Sequence, residues 1–189
     1  RFQNIIGKVT LYATTEQGYK NLTKLSSSSY LKSNVSDEPS CEIIDLISNN
    51  QDLILLTGNY YNFFGKLFYA NKIKDFEKII TSLKSNFKDR LYFEIQRHSE
   101  NEEKNFENYL LNSSKTVDIP LIATQEVFYL NNDMYEAHDA LTCIGEKNFI
   151  DDQSRFKYSN QHYFKQNEDL QKLYSDLPEA LENNYNFHL

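Results

Sequence analysis

Short apolar runs alternate along this chain with longer stretches whose apolar residues recur every three to four positions. That alternation predicts strands exchanging with amphipathic helices. Residues 8–13, β-branched and aromatic with little charge, read as a first strand. A helix follows, capped by Thr14 or Thr15, with Tyr19, Leu22, Leu25 and Tyr30 near helical spacing. The serine run 26–29 belongs to the end of that helix rather than to a linker. Residues 33–40 form a polar loop, and Ile43, Ile44, Leu46 and Ile47 a short amphipathic helix. The compact runs 52–57, 90–96 and 120–124 read as strands, the first suited to burial on both faces and the last another short buried strand. Helical patterns lie at 60–70, 72–87 and 100–117; in 72–87, Ile73, Phe76, Ile79, Ile80, Leu83 and Phe87 make one stripe. Asn131 or Asn132 caps a further helix that Gly145 stops. A polar loop spans 146–160, and helices at 166–175 and 178–186 finish the chain, the second with Pro178 at its first position.

Three buried strands separated by helices imply an α/β fold with a parallel sheet, open or closed into a barrel. Function in such folds gathers at the carboxyl ends of the strands. Those ends carry Asn59 after Gly58, then Arg97 and His98, then Gln125, Glu126, Val127 and Phe128. The three places are expected to converge on one rim. A neutral imidazole at His98 suits a metal ion or a proton relay, and Glu126 suits a second ligand. Asn59 is a weak ligand and Phe128 is none, so residue chemistry favours a hydrogen-bonded rim histidine over a metal centre. His138 and Asp139 are adjacent on a helix and do not face each other, which suggests one polar face rather than a catalytic pair. His162 and His188 carry no signal. Cys143 falls with Leu141 and Ile144 on an apolar side, as a core thiol. Cys41 opens a short helix, a position that can lower a thiol pKa, but it reads as incidental.

Composition narrows the classes. The chain has 189 residues, 40% hydrophobic and 25% charged, enough for one domain with a core. Its net charge of −7 argues against a main DNA-gripping surface, because phosphate neutralisation needs basic faces. The two cysteines stand far apart and outline neither a disulfide framework nor a zinc site. No apolar run reaches membrane-helix length. No Walker loop, Rossmann fingerprint, HExxH or GxSxG occurs. The adjacent Asp151 and Asp152 do not resemble a two-metal nucleotidyl-transfer site, whose carboxylates converge from different strands. The opening without Met predicts further sequence upstream.

Six phrases in order carry a family resemblance: ATTEQGYKNLTKLSS at 13–27, DLILLTG at 52–58, LYFEIQRH at 91–98, IPLIATQEVFYL at 119–130, EAHDALTCI at 136–144 and DLPEALEN at 176–183. Together the chain resembles the alpha subunits of bacterial DNA polymerase III, the fifth phrase being most similar to alphaproteobacterial versions. The resemblance implies a PHP domain (polymerase and histidinol phosphatase), a distorted β/α barrel whose carboxyl rim can hold a metal cluster. Residues 1–189 would be roughly the C-terminal two-thirds of it, running toward the polymerase palm. The N-terminal strands and the paired-histidine metal motif would precede Arg1. The remaining ligand places of the family fall on Asn59, His98, Glu126 and Phe128. Of these His98 matches outright and Glu126 keeps a carboxylate, so a degenerate metal site is implied. The parent is then a DNA-directed DNA polymerase using Mg²⁺ in its palm, outside this segment, with DNA and dNTPs as substrates. Its implied partners are an exonuclease subunit and other holoenzyme subunits, in the cytoplasm. No catalytic residue is expected in the segment, which serves as a structural and interaction module. The alternative is a metal-dependent phosphoesterase or proofreading enzyme. A free-standing histidinol-phosphatase-like protein fits less well, because residues beyond Asn183 read as running on into more protein.

Overall fold

A computed structural model describes residues 5–32 and 38–186. Four strands, β1 (Thr10–Ala13), β2 (Leu53–Leu56), β3 (Leu91–Ile95) and β4 (Leu121–Ala123), form one sheet in the order β1-β2-β3-β4. β2, β3 and β4 run parallel, as the buried apolar runs predict, and all of their residues but Tyr92 are buried. β1 instead pairs antiparallel with β2, Thr10 opposite Leu56 and Ala13 opposite Leu53. Two helices, α1 (Glu16–Lys32) and α2 (Ile43–Ser48), intervene before β2, a connection long enough for either pairing sense. β1 alternates exposed and half-buried residues, as suits an edge strand. Among the described residues the sheet is open, so the expected barrel is not closed.

The other helices are α3 (Phe63–Tyr69), α4 (Ile73–Phe87), α5 (Glu103–Val117), α6 (Tyr135–Glu146), α7 (Asn167–Leu173) and α8 (Pro178–Asn186). The α4 stripe is buried at Phe76, Ile79, Ile80, Leu83 and Phe87, and packs with Leu53, Leu55, Leu91 and Phe93 into the main core. Ile54, Leu56 and Ile122 form a smaller cluster joined by Tyr92. Thr15 caps α1, its hydroxyl accepting the Gly18 N–H at 3.1 Å. A Cβ at Gly18 would stand 2.2 Å from the Asp52 carbonyl oxygen, so only glycine lets α1 lie against the turn into β2. The serine run 26–29 is helical within α1.

Three local expectations need correction. Gly145 does not stop α6, which runs to Glu146 and is ended by Lys147 in the left-handed conformation, φ 57°. Cys41 lies ahead of the Glu42 N-cap of α2. Local desolvation and the Asp45 carboxylate push its thiol up rather than down. Leu141 and Ile144 face outward, although Cys143 is buried as expected. His188 and positions 33–37 of the polar loop lie outside the described residues.

The outer edge of β4 is covered by α8. The pairing of β3 with β4 leaves the carbonyls of Leu121 and Ala123 pointing away from β3. Asn183 Nδ2 donates to the first at 2.7 Å and Asn184 Nδ2 to the second at 3.0 Å. Side-chain amides thus do at this border what a neighbouring strand would do.

Candidate functional site

The strand ends do meet. Beyond β2 the chain turns at Gly58, whose φ of 81° only glycine adopts without strain. The Gly58 N–H is thereby aimed at Glu94 Oε2, 3.0 Å away on β3. Glu94 is buried, and its other oxygen accepts from Gln96 Nε2 at 2.9 Å and from the Thr124 hydroxyl. Asn59 is buried too and donates to Gln96 Oε1 at 2.7 Å. The ends of three strands are stitched by one polar network in which each buried group has a partner.

His98 follows and is 2% exposed. Its Nε2 accepts the Glu126 N–H at 3.2 Å, which puts the ring proton on Nδ1, 3.3 Å from Glu103 Oε1. Glu103, in the first turn of α5, also accepts the His98 backbone N–H at 2.8 Å. The Glu126 side chain accepts from the Tyr61 hydroxyl, and desolvation holds its carboxyl above the usual range.

His162 is the residue that sequence reasoning missed. It comes from the loop after α6, yet its ring stacks on His98 with centroids 4.1 Å apart and planes 2° from parallel. Phe128 stacks on its other side at 4.9 Å, and His138 on Phe128 at 5.1 Å. His98, His162, Phe128 and His138 therefore form one column of rings. The chain positions it by a short parallel bridge between Tyr129 and Tyr163, with Phe128 N–H on the His162 carbonyl and Phe164 N–H on that of Tyr129. The aromatic run 162–164 opposite 127–129 was the available signal, but an isolated bridge has no periodicity to read. His162 Nδ1 sits 3.0 Å from the Glu126 carbonyl oxygen. Its Nε2 is buried without a hydrogen bond, 3.6 Å from Glu100 Oε1. Among the described residues no three His, Cys, Asp or Glu side chains converge as a metal-holding group.

Burial, then the neighbouring His98, lowers the His162 pKa to about 4. The ring is neutral in the fold, while the unfolded chain takes up a proton near pH 6.5. Its contribution to stability is complete above that pH and is lost as pH falls toward 4. Going from pH 7 to pH 5 should cost about 2 kcal/mol through this residue. The carboxylates of Glu100, Glu103 and Glu126 face it and oppose the effect; Lys165 adds to it. Urea titrations at both pH values should show the loss in the wild type and a smaller one in His162→Gln.

Two arginines frame the rim. Arg97 spans Glu107 on α5 and Asp176 after α7, donating to both carboxylates and to the Leu173 carbonyl. Its guanidinium lies 4.8 Å from the centre of the buried Tyr174 ring. Arg155 binds Asp139 through both terminal nitrogens at 2.6 and 2.7 Å. Asp139 is thus buried and is not part of a polar outer face.

A sequence profile described as "PHP domain" matches residues 3–98. That span is half of the chain and ends on His98. The chain belongs to the PHP domain family. Relatives of this PHP chain include DNA polymerase III subunit alpha of Caulobacter vibrioides, 36% identical over 173 residues, covering 92% of this chain and 15% of the relative. The protein of the same name from Rickettsia prowazekii is 36% identical, covering 97% and 16%. That from Vibrio cholerae is 30% identical, covering 96% and 16%. The PHP chain therefore spans about one-sixth of these curated relatives' length. No helix among its described residues is long and apolar enough to cross a membrane.

Proposed function

We propose that this chain is the PHP segment of the catalytic alpha subunit of a bacterial replicative DNA polymerase, serving as a structural and interaction module. The parent extends DNA by nucleotidyl transfer with Mg²⁺ held in a palm outside the segment, in the cytoplasm, beside an exonuclease subunit and other holoenzyme subunits. The match to three alpha subunits over nearly all of the chain supports the assignment. The segment is an incomplete barrel, further strands being supplied by sequence ahead of it.

One observation carries the non-catalytic reading: three of the four ligand places, Asn59, His98 and Phe128, are already engaged in packing. His98 spends its lone pair on the Glu126 N–H and its Nδ1 faces Glu103. Asn59 is tied to Gln96 and has no thiolate. The Phe128 ring stands between His162 and His138 and has no donor atom. A catalytic metal needs about three protein ligands with free lone pairs and an open position for water. The residues present do not fit that group, and no reaction step runs through it.

The test is metal analysis of the longer polypeptide purified without chelator and dialysed to remove loosely held ions. Zinc and manganese should be well below one per chain and the same in His98→Ala and Glu126→Gln. Stoichiometric metal lost on either substitution would overturn this reading and favour the metal-dependent phosphoesterase. The 189-residue segment alone should give no product in primer extension.

A further inference from the structure

A cavity of about 260 Å³ lies between α6 and the segment that follows it. Cys143 and Arg155 form part of its wall. Glu146, Asn148 and Phe156 on the same wall are exposed, so the space opens to solvent. A water molecule takes up about 30 Å³ in the liquid, so several small polar molecules fit. Cys143 is 5% exposed, but its place on this wall gives small solutes a way to the sulfur that a thiol enclosed by core side chains lacks.

Arg155 supplies a second, independent observation. Its side chain is 4% exposed and both terminal nitrogens are held by Asp139, yet Nε has no hydrogen-bond partner. A buried N–H without an acceptor is destabilising, and on a cavity wall it marks a place for one. The Cys143 sulfur is near enough that a negative charge on it strengthens the guanidinium's hold on its proton. Two cations, Arg155 and Lys157, share the Asp139 carboxylate, which leaves a positive excess beside the thiol. Glu146 opposes it but stands in solvent, where its field is screened. Tyr158, also on the wall, adds no charge, since burial and then Glu126 push its phenol up.

We propose that Cys143 is a modification site for hydrogen peroxide, oxidised through this cavity to a sulfenic acid whose oxygen accepts the Arg155 Nε–H. The thiol first gives its proton to solvent, and the positive excess stabilises the thiolate. Sulfur then attacks one peroxide oxygen. An S–O bond forms as the O–O bond breaks, and the departing hydroxide takes the electron pair and picks up a proton to leave as water. Sulfur gives up two electrons and the peroxide gains them. A charge-assisted hydrogen bond from the guanidinium holds the product. Cys41 lacks such a pocket: it is exposed, but local desolvation and Asp45 hold its thiol up.

The polypeptide encoded by the full reading frame is treated with hydrogen peroxide in the presence of dimedone, which captures sulfenic acids, and the peptides carrying Cys41 and Cys143 are quantified by mass spectrometry. Cys143 should be labelled at least about tenfold faster than Cys41, the reverse of the order that exposure alone dictates. Asp139→Ala/Arg155→Met removes the donor without stranding a buried charge. In that variant the Cys143 rate should fall at least about fivefold while Cys41 keeps its rate. A thiol reached merely because the loop opens would react faster in the variant, so a rise overturns the proposal, as does an unchanged rate. In the wild type, labelling of Cys143 no faster than of Cys41, or only after urea is added, overturns it whatever becomes of the variant.

Discussion

Replacing Arg97 with alanine should lower the unfolding free energy by about 3 kcal/mol, the low end of the range for breaking one partner out of a buried ion pair, because this pair is only partly buried. Its side chain and that of Glu107 are 16% and 15% exposed, and the contact is bidentate. Without the guanidinium, Glu107 keeps its charge in a poorly solvated place, and the Leu173 carbonyl and Tyr174 ring lose their partner. Asp176 is mostly exposed and contributes little by itself. Equilibrium urea unfolding measures the change. Arg97→Lys should recover only a minor part, because an ammonium cannot make two forked contacts. A loss below about 1 kcal/mol in the alanine variant would mean that solvent reaches Glu107 and that the network matters little.

The second large effect is local. Asp139→Ala leaves Arg155, its side chain only 4% exposed, without its bidentate carboxylate. The segment following α6 is tied back by that pair and by the strand-like contacts around Tyr129 and Tyr163. It should then open far more often, and limited proteolysis between residues 147 and 160 should accelerate roughly a hundredfold. Cleavage elsewhere should change little. The double variant Asp139→Ala/Arg155→Met should restore most of the resistance, because no stranded charge remains. Equal cleavage rates in the wild type and Asp139→Ala would show that the pair is not what holds the loop.

Much of this architecture can be read from the chain, and the boundary of legibility is physical. β2 and β3 stand out because a strand buried on both faces must be apolar throughout, and residues 53–56 and 91–95 nearly are. The α4 stripe stands out because one face meets the core. The convergence of Asn59, His98 and Glu126 follows from parallel strands ending on the same side. β1's direction is not legible, since pairing sense leaves no mark on a four-residue strand. His162 is hidden because it stands 64 residues beyond His98 in the chain and its place depends on one isolated bridge, Tyr129 with Tyr163. α6 misleads for a different reason. Apolar spacing marks a helix face but not what lies against it, and here the domain takes the side bearing Asp139 and Cys143.

The way α8 meets β4 has a practical consequence. Asn183 and Asn184 satisfy the two outward carbonyls of the last strand, so any fragment made for expression or crystallisation has to retain them. A version trimmed ahead of Pro178 would display a bare hydrogen-bonding border of mostly apolar residues, a template for self-stacking into insoluble material. Where the recombinant boundary is drawn thus decides whether the unit can be handled in solution.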